Sequence, residues 1–158
     1  MNPAAFIDQT LLKPDVTAAE IAVLCEEAVE YGFASVCLPP RYVRQAADLL
    51  YGSEVKTGTV VGFPLGYELS EIKAMQTAQA IQAGAEEIDM VIPCGAARVQ
   101  DFAAVTADVK AVVARAEGRI VKVIIECCLF DIPTKRRLVE AVVAGRAHYV
   151  KTSTGFAA

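Results

Sequence analysis

The chain has 158 residues, 54% of them hydrophobic and 22% charged, with a formal net charge of −4. That length serves one domain with one sizeable core, and the mild acidity excludes a nucleic-acid binder that works by neutralising phosphates. No apolar run is long enough to span a bilayer, and MNPAAFIDQT carries no basic stretch followed by an apolar one, so the sequence reads as cytoplasmic, with neither membrane nor nucleic acid as partner.

Short apolar runs alternate with helical stretches along the chain. Phe6–Leu11 reads as the first strand. Thr17 and Glu20 form a capping-box pattern that opens a helix over Ala18–Tyr31, and Gly32 sits where a C-terminal cap belongs. Ala34–Leu38 follows as a strand and Arg41–Leu50 as a helix. The strand Val55–Phe63 leads into Pro64 and Gly66, which shape a loop. Ser70, as N-cap with Glu71 in the first turn, opens a helix over Ser70–Ala83; its stripe Ile72, Met75, Thr77, Ala80 and Ile81 reads as core. Strand Glu87–Ile92 should stop at Pro93, which has no N–H to donate. Helix Phe102–Ala116, strand Ile120–Glu126, helix Thr134–Ala144 and strand Tyr149–Ser153 complete the series, with Gly84, Gly118 and Gly145 as further helix stops.

Repeated strand–helix units imply a parallel sheet with helices outside it. Two architectures satisfy this, an open doubly wound sheet and a closed barrel. No GxGxxG or Walker pattern follows a strand. Asp89, Lys122, Glu126, Lys151 and Ser153 all lie on predicted strands, and a barrel accommodates them because its upper interior opens into the active site. The sequence therefore predicts an α/β fold of the (β/α)8 TIM-barrel type in one domain spanning residues 1–158.

Three of these strands each present charge from an apolar context, and the charges suggest chemistry. Lys122 and Glu126 share one face of their strand, Asp89 follows Ile88, and Lys151 follows Val150. A lysine acts as a nucleophile only when neutral, and burial beside a second cation favours that state. A carboxylate such as Asp89 can then move protons. This pattern points to carbonyl chemistry through a Schiff base. The alternative for each lysine is a strand-end side chain that snorkels to water. The five cysteines form no CxxC pair and read as small buried hydrophobes; with His148 the only histidine, a Cys–His enzyme is unattractive. His148 itself reads as a strand-edge or core residue, and Cys127 and Cys128 would point to opposite faces on a strand.

The successive segments IDQTLLKP, EEAVEYGFASVCLPP, VVGFPLG, EIDMVI, KVIIE and YVKTSTGF resemble, in order, the motifs of deoxyribose-phosphate aldolase. The resemblance covers nearly the whole chain. It implies a (β/α)8 barrel that cleaves 2-deoxyribose 5-phosphate to acetaldehyde and glyceraldehyde 3-phosphate through a lysine imine, with no metal or organic cofactor, and a homo-oligomer whose partner is a phosphorylated sugar or aldehyde. Matched by motif, Lys151 would form the imine, Asp89 would transfer protons and Lys122 would belong to the charged relay. Asp8, Thr10, Cys37 and Thr152 would line the substrate site, with Gly155 in its phosphate-binding region.

Departures from the family pattern are Gln9 in place of the histidine of IDHTLL, Pro93 after MVI, and Arg146 in a turn whose usual glycine stands one residue earlier. The resemblance also implies two strands beyond TGFAA, one with a second active-site lysine, and glycine-rich turns that hold phosphate. On that expectation the chain is a C-terminally truncated barrel with about six of eight strands. Two readings follow: an aldolase, or a catalytically impaired barrel that self-associates through open sheet edges.

Overall fold

The computed structural model describes residues 2–157. Its elements run β1 (Asp8–Thr10), α1 (Ala18–Tyr31), β2 (Ser35–Leu38), α2 (Val43–Leu49), β3 (Lys56–Val61), α3 (Ser70–Ala83), β4 (Glu87–Val91), α4 (Cys94–Arg98), α5 (Phe102–Arg115), β5 (Ile120–Ile124), α6 (Ile132–Ala144) and β6 (Tyr149–Lys151). The strands lie in sheet order β1-β2-β3-β4-β5-β6. A doubly wound sheet reverses its order at a switch point; this order has no reversal, as in a barrel wall. No helix among the described residues is long and apolar enough to cross a membrane.

The chain forms two compact units. The first comprises the residues up to Val60 with Ala80–Glu87. In it, β1 pairs β2 and β2 pairs β3, all parallel, with Asp8 opposite Ser35 and Thr10 opposite Cys37. Helix α1 begins where its capping box directs: Thr17 Oγ1 accepts from the Glu20 N–H, Glu20 accepts from the Thr17 N–H at 2.8 Å, and Gly32 closes the helix at φ 70°. Ile21, Leu24, Cys25 and Ala28 are its buried side.

The second unit comprises Val61–Gln79 and the residues from Ile88 on. Here β5 pairs β6 in parallel, with Lys122 opposite Tyr149 and Ile124 opposite Lys151. Helices α5 and α6 pack on each other, where the Thr106 hydroxyl donates to the Ala141 carbonyl and Arg137 lies over the Phe102 ring. Every residue of β4 is buried, as for a strand covered on both faces.

Several expectations need correction. The predicted strand Phe6–Leu11 begins with a 3-10 turn, Pro3–Phe6, because Pro3 favours the first turn of a helix and Asn2 caps it. Helix α2 starts at Val43 behind a second 3-10 turn, Pro40–Tyr42. Ser70 does not cap α3; it is the first helical residue and its hydroxyl donates to Asp108. The predicted stripe of α3 holds only in part: Thr77 and Ala80 are buried, but Ile72 and Met75 are exposed and Lys73, which is not in the stripe, is buried. The fifth and sixth strands end at Ile124 and Lys151, so Glu126 and Ser153 lie beyond them, and Cys127 and Cys128 lie in a 3-10 turn. Gly145 closes α6 in right-handed geometry, and Arg146 takes the left-handed position at φ 65°.

Candidate active site

The β6 lysine and the β4 carboxylate meet inside the second unit. Lys151 Nζ lies 2.5 Å from Asp89 Oδ2. Lys122 Nζ, from β5, lies 3.7 Å from the other oxygen, Oδ1, an ion-pair separation too long for a hydrogen bond. Paired residues on parallel strands project to one face, so the register that sets Lys151 opposite Ile124 puts it on the same side as Lys122, two residues down β5. The side chains of Asp89 and Lys122 are 2% and 10% exposed, while that of Lys151 is 30% exposed. One buried carboxylate thus bridges two ammonium groups, one shielded and one within reach of solvent. The cluster carries one excess positive charge, which loss of a proton from one lysine would remove.

Beyond β6 the chain turns. Cys127 N–H donates to the Thr152 carbonyl at 2.7 Å, and Ile125 N–H to the Lys151 carbonyl at 3.0 Å, so the β5–β6 ladder carries past the end of each strand. Glu126 accepts from the Thr154 N–H at 3.2 Å and from the Thr154 hydroxyl. The next residue, Gly155, has φ 82°, and a Cβ there would meet nothing within 4 Å. Thr152 is exposed.

These strands and turns have close counterparts. A family model for DeoC/LacD family aldolases matches residues 4–156. The chain belongs to that aldolase family. It is 54% identical over 156 residues to a deoxyribose-phosphate aldolase of Syntrophotalea carbinolica, covering 99% of this chain and 71% of that protein. A second deoxyribose-phosphate aldolase, from a Geobacillus species, is 53% identical over 156 residues, covering 98% and 70%. Among solved structures, the tetrameric deoxyribose phosphate aldolase of Aeropyrum pernix superposes with a TM-score of 0.90 at 37% identity, covering 97% of this chain and 64% of that one. The chain therefore spans less than two thirds of the length of that structural relative. The fold is the α/β, TIM-barrel type of these enzymes.

Of the residues that the sequence nominates in this DeoC/LacD aldolase, Lys151, Asp89 and Lys122 form one cluster, with Thr152 and Gly155 in the turn that follows. Asp8, Thr10 and Cys37 belong to the first unit. There Asp8 accepts from the Ser35 hydroxyl at 2.8 Å, the Thr10 hydroxyl donates to the Asp8 carbonyl at 2.9 Å, and Cys37 is buried opposite Thr10. Gln9, at the departure from the family histidine, donates to Glu27 at 3.0 Å. Their motifs alone speak for a substrate role of Asp8, Thr10 and Cys37.

Sequence reasoning passed over two residues. Glu126 was noted only as a strand charge; its φ of 47° and its hold on Thr154 have no local signal. Lys73 lies outside the apolar stripe predicted for α3, yet it is fully buried. Its ammonium donates to Asp108 at 2.7 Å and to the Gly66 and Val91 carbonyls at 2.8 Å each. The signal for it was non-local: Gly62 lies close enough that a Cβ there would stand 2.6 Å from Lys73 Cε. Burial also acts on two of the thiols. Burial, with Glu26 adding, pushes the Cys25 thiol up to about 11, and burial, with Glu126 adding, raises that of Cys94. His148 is exposed; its Nδ1 accepts from the Val121 N–H at 3.0 Å, while the His148 backbone N–H donates to the Val121 carbonyl.

Proposed function

We propose that this chain, as one aldolase domain, performs Schiff-base retro-aldol cleavage of 2-deoxy-D-ribose 5-phosphate to acetaldehyde and D-glyceraldehyde 3-phosphate. One observation carries the reading: the buried Asp89 lies between Lys151 and Lys122, from neighbouring strands, with Lys151 the more exposed of the two. The names of the relatives at 53–54% identity support the substrate class.

In this reading Lys151 gives its ammonium proton to the Asp89 side or to water, and the free amine attacks the aldehyde carbon of the open-chain sugar. Loss of water forms the imine. A base takes the proton of the C3 hydroxyl, the C2–C3 bond breaks, and the electron pair moves into the imine to give an enamine while glyceraldehyde 3-phosphate departs. Protonation at C2 and addition of water release acetaldehyde and restore the amine. Asp89 is the nearest carboxylate to the amine and serves as the proton carrier. Lys122 remains cationic and disfavours a second positive charge on Lys151. Thr152 and Gly155 meet the phosphorylated part of the substrate through the turn, where backbone N–H groups can face an anion. No cofactor enters this scheme. A cytoplasmic location and a homo-oligomer belong to the same reading.

The test is chemical trapping. Incubation with acetaldehyde and borohydride should leave a reduced two-carbon adduct on Lys151, located by peptide mass spectrometry and absent from Lys151→Met. A protein that binds no aldehyde at this position, or is modified equally in the variant, refutes the assignment.

A further inference from the structure

Glu126 combines three features that local stability does not account for. Its backbone lies at φ 47°, ψ 67°, the left-handed region that a residue with a Cβ disfavours. Its residue surface is 4% exposed, although it carries a carboxylate. The carboxylate turns most of its acceptor capacity to one residue: both oxygens accept from the Thr154 N–H, at 3.2 and 3.3 Å, and Oε2 also accepts from the Thr154 hydroxyl at 2.5 Å, while Oε1 takes a longer contact of 3.9 Å from the Cys128 thiol. Thr154 Oγ1 in turn accepts from the Phe156 N–H at 3.0 Å. Residues 154 and 156 are thereby fixed on either side of Gly155, which faces open space. Phe156 is further held edge-on against Phe63, ring centres 5.3 Å apart. A strained backbone that persists in a buried site points to a positional demand.

We infer that Glu126 is a positioning residue of the aldolase. Its carboxylate sets the turn Thr152–Phe156 so that the backbone around Gly155 is presented to the phosphorylated end of the substrate, and it governs binding more than bond cleavage. The dipoles of the Thr154 N–H and hydroxyl partly offset the field of that carboxylate, which lessens its repulsion of an anion at the same turn. This inference rests on the aldolase reading above.

The variants separate position from strain. Glu126→Gly removes the backbone strain together with the carboxylate, so relief of strain offsets part of the lost packing and the protein should fold. Glu126→Gln keeps an amide oxygen that can accept from Thr154. Steady-state cleavage of 2-deoxyribose 5-phosphate should show KM raised about tenfold in Glu126→Gly with kcat within about threefold, and KM within about threefold of the parent in Glu126→Gln. Thr154→Val, which removes the hydroxyl from the other side of the contact, should raise KM in the same direction. Amide hydrogen exchange gives a readout independent of turnover: the Thr154 N–H should exchange about tenfold or more faster in Glu126→Gly than in the parent or in Glu126→Gln. An unchanged KM in Glu126→Gly, or a fall in kcat with KM unaltered, overturns the inference. If the parent protein forms no imine at Lys151, the aldolase reading falls, and exchange alone decides: equal Thr154 exchange in parent and Glu126→Gly overturns the positioning role.

Discussion

Lys73 Nζ lies 2.7 Å from Asp108 Oδ2 with both side chains shut away from water, 0% and 2% exposed. The same ammonium donates to the carbonyls of Gly66 and Val91, so its three protons have three acceptors. The other Asp108 oxygen accepts from the Ser70 hydroxyl at 2.6 Å. This network ties α3 to α5, to the end of β4 and to the loop after β3. Removing one partner strands the other charge. Lys73→Met should lower the unfolding free energy by about 3–5 kcal/mol, whereas Lys73→Met with Asp108→Leu should recover most of that loss. A urea-unfolding double-mutant cycle measures it. Additive losses would mean that the two side chains do not act as a pair.

Asp89 is the hub of the candidate site, and its charge can be removed with little change of shape. Asp89→Asn should melt below the parent, because it leaves two ammonium groups without their counter-charge, yet still fold, and lose about 10²–10⁴-fold in turnover of 2-deoxyribose 5-phosphate. Single-turnover product formation, read beside a thermal melt, tests it; cleavage at the parent rate would take the proton carrier away from position 89.

At the end of α6 the residue types and the backbone disagree. Gly145 has an ordinary right-handed φ of −74°, while Arg146 beside it takes φ 65°. Gly145 is needed for space instead, since a Cβ there would come within 2.7 Å of Val109 Cβ. Arg146→Gly should therefore raise stability by about 1 kcal/mol, and Gly145→Ala should lower it by about 1–3 kcal/mol through overpacking against α5. Denaturant midpoints of the two variants should shift in opposite directions.

Two helix caps make stability depend on acid. The Thr17 hydroxyl and N–H hold the Glu20 carboxyl below its ordinary value of 4.5, and the Thr134 hydroxyl and N–H hold Asp131 below 3.8. A carboxyl lowered in the folded state binds its proton more readily when unfolded. Its contribution is therefore complete above the ordinary value and is lost as pH falls through the folded one. Thermal melts followed downward from pH 5 should decline less steeply in Thr17→Ala, which lacks the bond that lowers Glu20, than in the parent. Parallel curves would dissociate the cap from the acid response.

The sequence made helix ends legible where a side chain acts on its own neighbourhood. Thr17, Glu20 and Gly32 bound α1 through contacts within a turn, and the predicted Ala18–Tyr31 matches the observed helix. Strand ends were less legible because alternation of residue types continues after the backbone has turned; Glu126 and Ser153 keep the pattern beyond β5 and β6. The buried face of α3, right at Thr77 and Ala80, was misread at its start for a different reason. Apolar periodicity placed Ile72 and Met75 inward, but that face is set by Lys73, whose burial depends on Asp108, 35 residues away. Charges on three strands did foreshadow the cluster of Asp89, Lys122 and Lys151, since apolar strands keep such groups only in company. Nothing local foretold that Glu126 would adopt a glycine-like conformation to reach Thr154.

The pairing of β6 with β5 brings Lys151 level with Ile124. Side chains alternate along a strand, so this alignment acts as a parity rule. A slip of two residues would carry the amine along the same wall, whereas a slip of one would turn it to the opposite surface of the sheet. Single-residue insertions or deletions inside Tyr149–Lys151 are thus far more damaging than substitutions of Tyr149 or Val150, and the place for length variation is the connection before the strand.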